Sequence, residues 1–452
     1  MSVRFIAGLE MRRLLRERAL PALLVLLLGL GAYAAWNGSA WVEQRRADIG
    51  LIQQEEQQTR DRSRTFVGSA PSVLPRAQPV LPPGAMAAVS MGQADAYPYT
   101  ADVVALGDPT QLLKHVWADI GNPAAHAAGR FDLAFIIVFL LPLVILATTH
   151  DLWSRERERG TATLVLSQPI AVERLIVVKA LARGTLVLLP ALGIIVAVAA
   201  AAGARSVAGL SVLVLTVFAY GSFWLAVAVL IGCVARRTTE AAIAAGALWL
   251  LIVVMAPSLT LAAANLLAPP PSQMRFATDV KAQLDGIGKR QQLAHSSHPA
   301  ALRSPPPIIP DAVRLAYADR VAADRELAPM LAAHAQAEAA RRRVLDRARL
   351  WLPPVAVQDA LDRIAGSDAD RALAFQHQVR EFWQARRLLH KAYLDRDAAQ
   401  TLAEYDALPV FQFRETGGVL QRGILLDLAA LITATLIVLL AGWSLRGRLA
   451  TP

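Results

Sequence analysis

Ala19-Leu-Pro-Ala-Leu-Leu-Val-Leu-Leu-Leu-Gly-Leu-Gly-Ala-Tyr-Ala-Ala-Trp36 contains no charged side chain. At about 1.5 Å of rise per helical residue, this run comes close to spanning the roughly 30 Å hydrocarbon core of a bilayer. In lipid such a segment needs only to satisfy its own backbone, which a helix does. Basic residues (Arg12, Arg13, Arg16, Arg18) precede it and a polar run, Glu43 to Arg64, follows it.

Working outward, five more apolar runs occur at 132–150, 175–203, 207–234, 240–267 and 424–445. The whole chain agrees: 55% of its 452 residues are hydrophobic and 18% are charged, where soluble chains carry about 25% charged residues. Mean hydropathy is +0.39. The pattern predicts an all-α membrane protein with six transmembrane helices. Two long polar segments, 37–131 and 268–423, are expected to form a mainly helical outer domain. The one cysteine, Cys233, excludes an intrachain disulfide and reads as a small packing residue at the end of span four. Pro142, Pro190 and Pro257 fall inside spans two, three and five and permit kinks there.

The start of the chain has a second reading. Ala32-Tyr33-Ala34 after a basic region resembles a signal-peptide cleavage site, but the apolar run exceeds the usual length of roughly 7–15 residues. A retained span is therefore expected. Within residues 1–18, Phe5, Ile6, Leu9, Leu14 and Leu15 interleave with Arg and Glu. That suits an amphipathic helix at headgroup level, and equally the solvated start of a longer span-one helix.

Arg and Lys set the direction. Arg4, Arg12, Arg13, Arg16 and Arg18 precede span one, and Arg155, Arg157, Arg159, Arg174, Lys179 and Arg183 follow span two. Arg236 and Arg237 follow span four, and Arg446 and Arg448 follow span six, whereas the loop between spans three and four holds only Arg205. With six spans, all the rich segments share one side. That side is expected to be cytoplasmic, with both termini and the 446–452 tail, and both long segments lie opposite. The net charge of +10 then points to anionic lipid, not nucleic acid.

In the first outer segment, Glu43 to Arg64 reads as a helix continuing span one. Pro71, Pro75, Pro79, Pro82 and Pro83 read as extended or looped, and Thr110 to Ile120 as a short helix. In the second, Pro269-Pro270-Pro271 and a later cluster ending at Pro310 precede a helix over 311–349. Its stripe is Val313, Tyr317, Val321, Ala328, Leu331 and Ala335. Two more helices are expected at 355–364 and 368–399, the latter burying Leu373, Phe375, Val379, Phe382 and Trp383. These modest apolar faces are expected to pack on segment 37–131 or on another subunit.

Catalytic signatures are missing. There is no Walker A pattern, no His-Glu-x-x-His and no Gly-x-Ser-x-Gly. His295 and His298 sit in a Pro-bounded stretch that reads as a polar loop, too few for a metal site. His150, beside Asp151, and Asp427 lie close to span ends, where the simplest reading lets both reach the interface; an ionisable group there is otherwise a functional candidate. No catalytic, metal or cofactor residue is predicted.

The informative stretch is the inner loop 151–174, Asp151-Leu-Trp-Ser-Arg-Glu-Arg-Glu-Arg-Gly-Thr-Ala-Thr-Leu-Val-Leu-Ser-Gln-Pro169 and onward. Its charged run meets Gly160, which can break a helix. Thr161 can cap a new one through Ala162, Leu164, Val165 and Leu166, and Pro169 ends it. The result is a short helix along the membrane face, with Leu164 and Val165 or Leu166 available as a knob for a groove on a peripheral protein.

This loop resembles the coupling-helix region of ABC transporter permeases of the ABC-2 type. Their pattern is Glu-x-Glu-x-Gly-Thr, several apolar residues, Ser-x-Pro, and a Lys that begins the next span. Glu156, Glu158, Gly160, Thr161, Leu164, Leu166, Ser167, Pro169, Arg174 and Lys179 fit it. The six-span layout and amphipathic start are similar too. Ala365-Gly366-Ser367-Asp368 with Phe375, Val379 and Phe382 resembles a subgroup that carries a large outer domain of unknown function. That subgroup usually shows Ala-Gly-Thr-Asp, so Ser367 departs from it. The resemblance implies an exporter subunit of a bacterial inner membrane with no ATPase of its own. ATP and Mg would be held by a separate ATP-binding subunit. A second permease, identical or homologous, would complete a dimer, and the outer domain would receive or release substrate or recruit a periplasmic partner. The coupling residues implied are Glu156, Arg157, Glu158, Gly160, Thr161, Leu164, Leu166 and Pro169. The alternative is a non-transporting scaffold or mechanosignalling subunit that uses the same ATPase contact.

Overall fold

The computed structural model describes every residue except 1–2, 17, 69–73, 93, 108–111, 113–130, 168–170, 298–308, 397, 416 and 448–452. Among the described residues no β-strand forms, and six helices are long and apolar enough to cross a membrane. A short helix α1 (Val3–Arg16) precedes span one, α2 (Ala19–Arg64). Span two, α3, runs Leu133–Phe135, through a π-helical turn Ile136–Leu140, then Leu141–Thr149. Two one-turn helices follow, α4 (Ser154–Glu158) and α5 (Ala162–Leu166). Spans three and four are α6 (Val172–Ala201) and α7 (Val207–Val234). Span five, α8, runs Thr238–Trp249, a π-helical turn Leu250–Met255, then Ala256–Leu267.

The prolines explain both π turns. Pro142 has no N–H, so the carbonyl four residues back, Val138, loses its helical donor. The Tyr220 hydroxyl of span four donates to that carbonyl at 3.0 Å, and the Trp249 indole of span five donates to the adjacent Phe139 carbonyl at 3.1 Å. A kink in one span thereby becomes a polar tie between three spans, where no water is present to substitute. Pro257 stands just after the second π turn, while Pro190 is carried inside an unbroken α6. Around these ties, Leu141, Ile145, Val187, Val217, Tyr220 and Trp224 form the centre of one continuous core.

Helix α2 continues far past the apolar run, and its 46 residues reach about 69 Å. Its projecting part lays Trp41, Val42, Arg45 and Ile49 on one face. The turn after Pro83 packs there, burying Ala87, Ala88 and Met91. Farther on, Ala77 bridges Val103 and Val80 bridges Thr100, both antiparallel, so the Pro-rich stretch is extended. The helix expected at Thr110 to Ile120 lies outside the described residues, apart from Leu112.

The second long segment is helical: α9 (Gln273–Ser297), α10 (Asp311–Arg349), α11 (Pro353–Ala365), α12 (Ala369–Arg396) and α13 (Leu402–Asp406) lead to span six, α14 (Gly417–Ser444). Helix α9 corrects the sequence reading, which has a polar loop here. His295 lies in its last turn, with Nε2 3.2 Å from Asp319 of α10. His298 is outside the described residues. The stripe expected on α10 is also displaced. Ala328 and Ala335 are exposed, while Ala323 and Leu327 are buried against Val280 and Ile287 of α9. An Ala-rich helix has no sharp apolar face, so the partner helix sets its register. On α12, Phe375, Val379 and Trp383 are buried against Ala77, Ala101 and Val103, so the first segment covers this face.

Helix α11 joins this domain to the spans. Ala356, Val357 and Leu361 are fully buried within the same core as spans two, four and six, each larger side chain contributing about 2 kcal/mol. Gly366, at φ +72°, ends α11 in the left-handed conformation, and the Asp368 carboxylate accepts the Arg371 N–H at 3.0 Å to start α12. Gly84 passes so close to the Ala365 carbonyl that a β-carbon would lie 2.1 Å from it. Arg363 is an ionic hub, 2.6 Å from Asp359, 2.7 Å from Asp370 and 3.9 Å from Asp427 of span six. Arg349 adds contacts to Asp359 at 2.6 Å and to Asp427 at 3.5 Å. Asp427 is fully buried, which corrects its reading as an interfacial carboxylate. The arginines that face it come from a domain more than 60 residues earlier in sequence.

Candidate functional site: a braced hairpin between spans two and three

Helices α4 and α5 form a small hairpin at the end of the bundle opposite the long segments. Gly160 stands at its bend with φ +69°, a conformation costly for any residue with a β-carbon. The Thr161 hydroxyl donates back to the Glu156 carbonyl at 3.3 Å, closing the bend onto α4, where the sequence suggested a cap for α5. The Thr163 hydroxyl donates to the Gly160 carbonyl at 3.0 Å.

The hairpin has an apolar footing. Trp153 is fully buried, and Ala162 is nearly so, in a cluster with Leu175, Ile176, Val178 and Cys233. This fixes both arms of the hairpin to the first turns of span three and the last turn of span four.

A buried ionic network adds direction. Lys179 of span three places Nζ 2.5 Å from Glu156 Oε1 and 3.4 Å from Glu10 Oε1 of α1. Arg183, one turn on, lies 3.3 Å from Glu10 Oε2 and also pairs with Asp151. Asp151 in turn holds Arg155 of α4 at 3.0 Å. Three carboxylates meet three cations, so the cluster is neutral, the condition under which such a group tolerates burial. Asp151 is thus buried and paired, while His150 turns Nδ1 to the carbonyls of Leu146 and Ala147. The other two charges of the motif reach the turn between spans four and five. Arg157 donates to the Ala235 carbonyl at 2.9 Å, and Glu158 accepts the Thr238 N–H at 3.1 Å, at the start of α8.

The sequence-predicted residues therefore separate by role. Glu156, Arg157 and Glu158 face the protein and brace the hairpin; Gly160 and Thr161 shape it. Leu164 points away, 68% exposed. The Leu166 side chain and Pro169 lie outside the described residues. Sequence reasoning missed Glu10, Asp151 and Trp153 as parts of the site. Lys179 and Arg183, four apart on an apolar helix, were a signal that buried acids must come from elsewhere, but spacing alone does not say from where. Behind the hairpin, a cavity of about 660 Å³ opens between α4, the end of α3 and the α1–α2 elbow at Leu14 and Leu20.

A family model described as ABC-2 family transporter protein matches residues 4–296, which includes five spans and the whole hairpin. A second, described as a domain of unknown function (DUF3526), matches residues 312–414, from the start of α10 to the approach to span six. No curated protein matches the chain. The first match covers more than half of the chain, and the six spans agree with it: this multi-pass membrane protein belongs to the ABC-2 family of transporter proteins, as a transmembrane permease of an ABC system carrying an additional helical domain.

Proposed function

We propose that the chain is the driven half of an exporter, whose separate ATP-binding subunit docks on the α4–α5 hairpin. The observation that carries this is the pairing of an exposed apolar tip, Leu164, with a footing braced on several helices. An ATPase groove that receives Leu164 would gain about 2 kcal/mol from its burial. Glu156 passes a push to α6 and α1 through Lys179, and Arg157 and Glu158 pass it to the turn between α7 and α8. The cavity behind α4 leaves room for the hairpin to shift. ATP-driven closure of the partner would then favour one arrangement of the spans over another.

In this reading the ATP and Mg belong to the partner, the hairpin faces the cytoplasm of a bacterial inner membrane, and the helical domain is extracytoplasmic. A second permease, identical or homologous, covers part of the exposed apolar surface of spans five and six. The reading is tested by reconstituting the chain with its ATP-binding subunit in liposomes. Substrate-dependent ATP hydrolysis with movement of that substrate out of the ATP-bearing compartment supports it. ATP hydrolysis that no transported molecule changes would favour a mechanical scaffold instead.

A further inference from the structure

At the far end of the bundle a cavity of about 420 Å³ opens between the first turns of span four, the α11–α12 turn and the approach to span six, a size within the range of roughly 300–1,000 Å³ found for small-molecule sites. Its apolar side is Met86, Val212, Ile364 and Ile424. Its polar side is dominated by one prepared group. Arg371 is 8% exposed, and its Nη1 and Nη2 donate to the backbone carbonyls of Gly366 at 3.0 Å and Pro82 at 2.9 Å. Its guanidinium lies 5.1 Å from the Phe413 ring centroid. The remaining edge of the fork, Nε and Nη2, is taken by Glu415 at 3.1 and 2.7 Å.

The two partners are unequal. The Arg371 side chain is fixed by main-chain acceptors and packing, whereas the Glu415 side chain is 63% exposed. An exposed carboxylate held by one ion pair contributes at most about 1 kcal/mol, so Glu415 is easily displaced. The backbone need not move when it leaves, because Gln378 clamps Arg414 by two hydrogen bonds, at 2.8 and 2.9 Å. Of the other charges at the cavity, Asp370 is paired with Arg363, and Asp368 accepts the Arg371 N–H on Oδ1 while its Oδ2 is buried without a hydrogen bond.

We propose that this cavity is a binding site for a zwitterionic amphiphile, whose anionic group replaces Glu415 on Arg371 while its cationic group meets the released Glu415 carboxylate and its apolar tail lies along Val212 and Ile424. Arg363 and Arg371 face Asp368, Asp370 and Glu415, so the cavity is already one negative charge in excess. A purely anionic ligand would increase that excess; a zwitterion exchanges partners at constant charge, which is the less costly change in a partly desolvated site. The bidentate fork of Arg371 suits a phosphate or carboxylate. This site goes beyond the transport reading, and binding is measured without any ATPase, so either can fail while the other stands.

The test uses the full chain in maltoside detergent and native mass spectrometry with three probes: lysophosphatidylethanolamine (zwitterion with tail), lysophosphatidic acid (anion with tail) and glycerophosphoethanolamine (zwitterion without tail). The wild type is expected to bind the first at least about fivefold tighter than either other probe. Glu415→Gln removes both the competitor for Arg371 and the acceptor for the cation. It should bind lysophosphatidic acid more tightly than the wild type does and lose the preference for the zwitterion. Arg371→Gln should bind none of them, and Val212→Phe, which leaves every charge in place, should weaken only the tailed probes. An unchanged preference in Glu415→Gln overturns the proposal, whatever Arg371→Gln does to folding. Equal binding with and without a tail would instead identify a site for a soluble zwitterion and contradict the amphiphile assignment.

Discussion

Lys179 and Glu156 meet at 2.5 Å across the root of the hairpin, and both are nearly out of solvent. Removing one member of such a pair leaves a buried charge without compensation. Lys179→Met strands Glu156 and weakens the hold on Glu10, so it should destabilise the protein by about 3 kcal/mol. Glu156→Gln added to it should recover part of that loss. Denaturation midpoints in detergent measure both, and additive losses would show that the two residues are not coupled.

Arg363 and Asp427 should respond unequally. Arg363 serves Asp359, Asp370 and Asp427; Arg349 still holds Asp359 and Asp427 when it is removed, so Arg363→Met strands chiefly Asp370 and halves the compensation of the other two, and should cost about 3 kcal/mol. Asp427 is fully buried with only long contacts to its arginines, at 3.5 and 3.9 Å, and Asn keeps its shape while removing the charge, so Asp427→Asn should change stability by less than about 1 kcal/mol. Comparable losses from both variants would contradict the hub assignment.

Asp362 supplies a pH dependence. It is buried beneath Ser90 and Gln358, which donate to its Oδ1 at 2.6 and 2.8 Å, and burial pushes its pKa up to about 8. Nearby Asp132 and Asp359 push the same way. A carboxyl raised in this manner binds a proton in the folded state that the unfolded chain has released. Its stabilising contribution is therefore complete below the ordinary carboxylate range and is lost as pH rises from about 4 to about 8. Asp362→Asn should flatten that part of the stability-against-pH curve. An identical slope in the variant would exclude Asp362 as its source.

The spans were legible in the sequence because a bilayer imposes a length and a charge rule on each run, and Ala19 to Trp36 satisfies both. The bend of the hairpin was legible for a local reason, since Gly160 and its neighbours carry their own turn chemistry. What sequence did not carry was pairing at a distance. Glu10 and Lys179 are 169 residues apart, and Arg363 and Asp427 are 64 apart; Asp427 looked interfacial until folding placed its partners. Helix α9 was missed because its apolar residues, Phe276, Val280, Leu284 and Ile287, are few and lie between proline clusters.

Sidedness is checked directly. In a Cys233→Ser background, single cysteines at the exposed positions Arg62, Arg343 and Arg159 report three segments. A membrane-impermeant thiol reagent added to intact cells should label Arg62→Cys and Arg343→Cys, and should label Arg159→Cys only after the membrane is opened. Labelling of Arg159→Cys in intact cells would reverse the assigned orientation.

A separate ATPase that seats on the hairpin through Leu164 must lose its hold when that tip becomes charged. Leu164→Asp places a charge at the exposed tip without touching the braces, so the permease should keep its wild-type melting temperature and membrane insertion. Co-purification of the ATP-binding subunit with this variant should fall at least about tenfold. Undiminished co-purification with a correctly folded Leu164→Asp permease would contradict the docking account.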